Sequence, residues 1–569
     1  MKKNSLFFAL AFLLCPLLIA TTEAPVRSLG GLTTEQSHPT TAELSKTMRS
    51  NIVEGLRLLH LVDQGVVSAF DYFVAKHYPE MRADFMNAVL HNKKCYLVGA
   101  GSSGRVAIDL AARDVFKTVV DVMAGGDSAL IRAREGFEDS QEDGQRAMEA
   151  FDLGPNDMVV LISASGSALF NIGAGIAARK KDAKVYYFCN SKTLPAETTT
   201  FITDYGVTPV VVDNGPQAIT GSTRLQAATL ALLCLGIVCL DQNPVNVREH
   251  FITGNEVIAK NLEAIAHIVE AEAAVFSAPA ANFNKVTDET DQGYVTSLAT
   301  KEYARSVTID SVEIPPTFCT NPPCRNYSEK KRRPEYESFV IGAASEGAAW
   351  KILLGRDISP RDTEAVREFS IGPDGFRRRP KGAGNLVIGV AGDEYKKLLP
   401  ALNQAQTDGA RTALIVLSSR AIDKEAVTGI NHPVFLEHVP NDERGLNLAI
   451  ILKQVLNMIS NGTMVMMGRV DGNSMIACNA TNNKLVDRAS RLVSACFEQR
   501  KLTCSLEKHA LEVLIKQIVQ GKKRLEERGM GTPPPVTIAV TMILKSVDFE
   551  GALSLLAVSG NNLDAIFES

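Results

Sequence analysis

Lys93 to Asp114 reads KKCYLVGAGSSGRVAIDLAARD. An apolar run, Cys95 to Val98, leads into the small-residue turn Gly99-Ala100-Gly101-Ser102-Ser103-Gly104, and amphipathic periodicity begins at about Arg105. That order predicts a buried strand, a tight loop and a helix. Free N–H groups at the positive end of a helix, in a loop with no bulky side chain, cradle an anion, and Ser102 and Ser103 can add hydroxyl donors. The spacing is neither the lysine-bearing nucleotide loop nor the dinucleotide pattern, which fails at its third glycine position.

A second loop of the same kind follows. Met158 to Ile162 is another apolar strand, and it opens into Ser163, Ala164, Ser165, Gly166 and Ser167 before the small-residue helix FNIGAGIAARK. Two Ser/Gly loops at the carboxyl ends of parallel strands form a crevice suited to a phosphorylated small molecule. The strands expected here are Cys95–Val98, Val119–Met123, Met158–Ile162, Val185–Cys189 and Pro209–Val212. Helical stretches separate them, an alternation that implies a parallel sheet covered on both faces. Upstream, Thr41 to His91 carries helical periodicity, and its His60 and His77 read as packed or surface histidines.

The layout then recurs. NLVIGVAGDEYKKLLPALNQAQTDGARTALIVL (Asn385 to Leu417) repeats the strand, loop, helix and strand of DMVVLISASGSALFNIGAGIAARKKDAKVYYFC (Asp157 to Cys189), which marks an internal duplication. The loops differ in chemistry. Where the first copy has Ser165-Gly166-Ser167, the second has Gly392-Asp393-Glu394, and carboxylates repel a phosphate. The strand Tyr294–Leu298 likewise runs into ATKEYARS, which has no glycine. The second copy is therefore expected to have lost its phosphate site.

The runs GAGSSGR, AGGDSALIRAREGFEDS, ISASGS and GPQAITGSTR resemble the sugar isomerase (SIS) domain. More narrowly they are similar to the branch that holds N-acetylmuramic acid 6-phosphate etherases and glucokinase regulatory proteins. LTTEQSHPTTAEL near the start and VLNMISNGTMVMMGRVDGNSMI with ATNNKLVDRASRLV near the end extend the likeness from about Gly31 across nearly the whole chain. The resemblance implies an α/β fold of two SIS domains, each a flavodoxin-like, doubly wound parallel sheet, joined as an intrachain pseudo-dimer with a C-terminal helical cap. The expected divisions are a helical segment at 31–91, a first SIS domain at 92–245, a second at 246–500 and the cap at 501–569.

The same resemblance assigns residues. Glu138, in EGFEDS, matches one functional glutamate of the branch, and Glu313, ahead of two prolines in IDSVEIPPTF, matches the other; the first half has Arg113 at that point. Each half would thus lend one glutamate to a single shared site. Gly101, Ser102, Ser103, Ser163, Ala164, Ser165 and Ser167 would hold the phosphate. Lys484 matches a family lysine that reaches the ligand, and Arg488 lies one helical turn further along. The architecture favours a regulatory-type sensor of fructose phosphates, whose partner would be a hexokinase- or glucokinase-type enzyme. The alternatives are an etherase, a carbon–oxygen lyase using Glu138 and Glu313 as its catalytic pair and releasing D-lactate, and a descendant that binds no ligand. Gln217, Gln226 and Leu232 depart from the branch, where Glu, Lys and Lys are usual.

Composition fits a globular protein: 569 residues, 45% hydrophobic and 22% charged, enough for two or more cores. A net charge of -4 gives no reason to expect nucleic acid. The ten cysteines are scattered, and Cys95, Cys189, Cys234 and Cys239 fall in apolar segments as buried thiols. No cofactor and no metal are expected, since Cys319 and Cys324 have no second pair or histidine cluster beside them. The basic runs Lys330–Arg333 and Arg377–Lys381 read as solvated loops. Residues 1–24 have the layout of a secretory signal peptide rather than a stable membrane span, whereas the family resemblance implies a cytoplasmic protein.

Overall fold

The computed structural model describes residues 30–568 except 135, 277–292, 319, 321–334, 373–374, 376–381, 383, 479, 481–482, 527–532 and 560–562. The signal-like segment 1–24, the Cys319 and Cys324 pair and the basic runs at 330–333 and 377–381 lie outside the described residues.

Among the described residues, two five-stranded sheets organise the fold. The first contains β1 (Cys95–Gly99), β2 (Val119–Met123), β3 (Met158–Ile162), β4 (Lys184–Cys189) and β5 (Thr208–Val211), in the order β2-β1-β3-β4-β5. The second contains β6 (Val295–Thr300), β7 (Tyr336–Ile341), β8 (Leu386–Ala391), β9 (Arg411–Leu417) and β10 (His432–Leu436), in the order β10-β9-β8-β6-β7. Read from opposite edges the two orders coincide. All pairings are parallel. Sequences such as MVVLI and LVIGVA, apolar at nearly every position, suit this arrangement because helices cover both faces of a parallel sheet.

The duplication has a fixed register. Asp157 Oδ1 accepts from the Lys94 N–H just ahead of β1, and Asn385 Oδ1 accepts from the Tyr294 N–H just ahead of β6. Cys95 pairs with Met158 and Val295 pairs with Leu386. Residues of the β1–helix unit therefore correspond to residues 200 positions later, which sets Ser102 against Glu302, Arg105 against Arg305 and Arg113 against Glu313. Gly392 falls opposite Ala164 and Asp393 opposite Ser165, one step earlier than the loop sequences suggest.

Helices α1 (Gly101–Arg113), α2 (Leu169–Arg179), α3 (Gln226–Cys239), α4 (Ala304–Phe318) and α5 (Leu446–Met466) carry the core between and around the sheets. One apolar cluster runs through Ile108 of α1, Val307 and Ile314 of α4 and Ile451 and Val455 of α5. By length and composition α5 could cross a membrane, but 89% of its most apolar window is buried inside the protein. The seam between the halves also carries charge. Arg356 reaches from the second half to both Asp121 and Asp127 of the first, at 2.6 and 2.7 Å, and the two aspartates are buried. Helix α6 (Asn483–Gln499) packs with Lys508–Glu526, Pro535–Lys545 and Phe549–Val558 in a separate apolar cluster. As a packing unit, the helical cap starts near Ile476.

Candidate phosphosugar site

The turn from β1 into α1 is compact because two glycines touch. A Cβ on Gly99 would lie 2.7 Å from the Gly104 nitrogen, and one on Gly104 would lie 2.8 Å from the Gly99 oxygen. This closeness brings Gly101, Ser102 and Ser103 to the mouth of the first sheet, beside Ser163, Ala164 and Ser165 at the end of β3. All six line one cavity of about 210 Å³. It lies at the carboxyl ends of the paired strands β1 and β3, where the strand order reverses and α/β sheets bind ligands. Ser167 does not line it; its hydroxyl is 2.8 Å from that of Ser165, one layer behind.

The opposite wall is built from several distant segments. Glu138, half-buried on the loop after β2, Glu313 on α4 and Arg488 on α6 all line the cavity. Glu313 is 4% exposed and its carboxylate lies 3.8 Å from the Arg105 guanidinium. Burial pushes Arg105 below its ordinary value; Glu313 pulls it back up, and Arg224 pushes it down. Arg105 is itself held by the Leu130 and Ala129 carbonyls, which accept from Nε and Nη2 at 3.1 Å each. Arg488 donates to buried Glu35 of the N-terminal segment. Burial opposes its charge, but Glu35, with a smaller contribution from Glu138, raises its pKa overall. Gly221 has φ +76°, and a Cβ there would meet the Arg488 guanidinium at 2.6 Å, so glycine lets this loop seat against the arginine. Lys484 stands in the first turn of α6; its side chain lies outside the described residues.

Sequence reading missed Arg105, Arg134, Ser222, Thr223, Arg224 and Thr317 as lining residues. Two signals were available: Arg105 closes the GAGSSGR run, and the GSTR run ends in an arginine that the fold buries to 1% exposure. The departures at Gln217 and Gln226 also have a place. Gln226 accepts from the Ala218 N–H and donates to the Pro216 carbonyl, and Gln217 accepts from the Ala227 N–H. Both amides brace the loop that presents Gly221 to Arg224.

Comparison with known proteins bears on this constellation. The family model of the glucokinase regulatory protein N-terminal SIS domain matches residues 80–177. An N-acetylmuramic acid 6-phosphate etherase from Rubrobacter xylanophilus is 35% identical over 222 residues, 37% of this chain and 68% of that protein. Etherase 1 of Bacillus licheniformis is 33% identical, with 37% of this chain and 68% of that protein covered. The enzyme of Picosynechococcus is 31% identical, covering 41% and 74%. The chain belongs to the N-acetylmuramic acid 6-phosphate etherase family. Among solved structures, the tagatose-6-phosphate ketose/aldose isomerase of Escherichia coli overlays with a TM-score of 0.41 at 11% identity, covering 72% of this chain and 93% of that one. The C-terminal domain of glucosamine-fructose-6-phosphate aminotransferase from Francisella tularensis does so with 0.38 at 12% identity, covering 72% and 94%.

In this family member the mirror position in the second half is closed from within. Glu302, the counterpart of Ser102, turns its carboxylate onto the Gly392 N–H at 3.1 Å. A carboxylate of the chain thus accepts from the residue that corresponds to Ala164 of the first cradle. Burial raises the Glu302 pKa, the Gly392 bond lowers it, and neighbouring Glu394 and Asp393 raise it further. Tyr303, the counterpart of Ser103, is 4% exposed. Where the first half has its Arg105–Glu313 contact, the second pairs Arg305 with Asp109 at 3.2 Å. Arg113, standing where Glu313 would, donates to the Arg444 and Gly445 carbonyls.

Proposed function

We propose that the chain is an N-acetylmuramic acid 6-phosphate etherase, a carbon–oxygen lyase that releases D-lactate. The observation that carries the reading is the convergence of Glu138 and Glu313, one from each half, on the cavity that also contains both serine-rich turns. The phosphate is held by neutral donors from Gly101 to Ser103 and Ser163 to Ser165, and Arg488 of α6, itself paired with Glu35, stands on the cavity wall. One glutamate takes the proton from C2 of the sugar; the C2–H electrons become the C2=C3 double bond as the C3–O bond breaks. The other glutamate delivers a proton to the departing lactyl oxygen. Water then adds across the double bond, leaving N-acetylglucosamine 6-phosphate. Each proton transfer is worth about 10²–10⁴-fold in rate. Of the readings raised by the sequence, the named relatives favour this one over the fructose phosphate sensor.

The test is D-lactate release from N-acetylmuramic acid 6-phosphate by the purified protein. Glu138→Gln and Glu313→Gln should each lose at least about 10²-fold in kcat while still binding the sugar phosphate. One observation favours the sensor instead: the serine-rich turns of the first half line the cavity, whereas in its twin the Glu302 carboxylate already accepts from the Gly392 N–H, an asymmetry that suits a fused regulator. Thermal stabilisation by fructose 6-phosphate or fructose 1-phosphate, without lactate from the etherase substrate, would decide for it.

A further inference from the structure

The loop between β5 and α3 has its backbone tied at many points. Thr220 N–H donates to the Asn473 carbonyl, Gly221 N–H to Thr34, Ser222 N–H to Ile219 and Leu225 N–H to Ser222. Two of its side-chain donors are nevertheless unused. Ser222 is 3% exposed and Arg224 is 1% exposed; both line the cavity, and neither Ser222 Oγ nor Arg224 Nε has a hydrogen-bond partner. Arg224 is not free to turn and find one. Its Nη1 donates to the Asp310 carbonyl and Nη2 to Ser460 Oγ, at 3.2 and 2.7 Å, so α4 and α5 of the other half fix the guanidinium. A buried donor left without an acceptor costs roughly 1–3 kcal/mol, which a chain sustains where a ligand supplies the missing atom.

We propose that Ser222 and Arg224 form a second anion pole that receives a carboxylate on the sugar phosphate, opposite the pole that holds the phosphate. This rests on the etherase reading, in which the lactyl arm carries that carboxylate. The donors are of the right kind: a guanidinium N–H and a hydroxyl, two residues apart on one loop. The acceptor is not the phosphate, because the phosphate cradle is built from the β1 and β3 turns, whereas Ser222 and Arg224 sit on the wall with Arg105 and Glu313. Asp310 faces Arg224 Nη1 at 3.5 Å and Glu313 faces Arg105 at 3.8 Å, so what recruits the carboxylate is the pair of unused donors, Arg224 Nε and Ser222 Oγ, rather than a surplus of positive charge.

The experiment compares N-acetylmuramic acid 6-phosphate with N-acetylglucosamine 6-phosphate, which lacks the lactyl carboxylate, on the full chain. Ser222→Ala should raise the KM for the first about tenfold and leave the inhibition constant of the second unchanged, the loss expected for one hydrogen bond to a charged group. Its melting temperature should hold or rise, since the variant removes a buried hydroxyl with no protein partner. Arg224→Lys, which keeps the charge but not the Nε donor, should discriminate in the same direction. Equal effects on both ligands, or none on either, overturn the carboxylate pole while leaving lactate release standing. Should the parent protein release no lactate, direct titration of the pair decides: a preference for the carboxylated sugar that Ser222→Ala abolishes supports the pole, and equal affinities overturn it.

Discussion

Replacing Ser102 by glutamate transplants into the first half the arrangement that closes the second. The register sets Ser102 against Glu302, whose carboxylate reaches the Gly392 N–H at 3.1 Å. A glutamate at 102 should fold in the same way onto the Ala164 N–H, inside the phosphate cradle. A carboxylate about 4 Å from a dianionic phosphate is repelled by about 2 kcal/mol with water-like screening and by about 8 kcal/mol at an effective dielectric constant of about 20. The weaker figure already corresponds to about 30-fold in affinity. Calorimetric titration with N-acetylglucosamine 6-phosphate measures the loss, and Ser102→Gln, of the same volume without the charge, separates repulsion from crowding. The glutamate variant should bind at least about tenfold more weakly than the glutamine variant and melt close to the parent, because the second half tolerates the same contact. A Ser102→Glu chain that binds the sugar phosphate as tightly as the parent would refute both the register and the placement of the cradle.

Two predictions concern stability. Burial pushes Glu272 from 4.5 to about 8, against opposing hydrogen bonds from Thr463 and Tyr336. The folded chain keeps this carboxyl protonated where the unfolded chain ionises it, so its contribution is complete below pH 4.5 and is lost as pH rises toward 8. Glu272→Gln should therefore gain up to about 3 kcal/mol over the parent at pH 7 and show no pH-dependent gain near pH 4, as urea unfolding at several pH values would show. Arg356→Ala strands two buried aspartates at the seam between the halves. Since the guanidinium is itself 37% exposed, the loss should be about 2 kcal/mol rather than the 3–5 kcal/mol of a fully buried pair, and a melt that does not shift would rule out a clamp there.

What could be read from the sequence was local. The β1–α1 unit announced itself through Cys95–Val98 and the glycine turn because a strand, a tight loop and a helix N-terminus leave signals within about a dozen residues. The duplicated strand, loop, helix and strand of the second half followed from Asn385–Leu417 repeating Asp157–Cys189, while the strand order needed the folded sheet. Glu138 and Glu313 were found by resemblance, since neither carries a local signature of its own. What escaped depended on contacts made far along the chain. Arg224 becomes a lining residue only because Asp310 and Ser460, 86 and 236 positions away, hold it. Glu302 was one residue of a turn noted only for lacking glycine, and its carboxylate on Gly392 needed the folded loop, 90 positions on, to be seen. Helix α6 sits with the cap rather than the second sheet because its apolar stripe, from Val486 to Val493 and Phe497, finds partners in Leu511 and Ile538.

The turn of Glu302 onto the Gly392 N–H bears on the stoichiometry to be expected of the molecule. Two unfused copies with intact turns would offer a pair of equivalent cavities and so the means for one occupant to sense another. Here the twin lends its carboxylate to a neighbour's pocket and answers its own anion demand with an internal counterfeit. Saturation with sugar phosphate should accordingly level off at one molecule per chain, along a plain hyperbola with a Hill coefficient of about one.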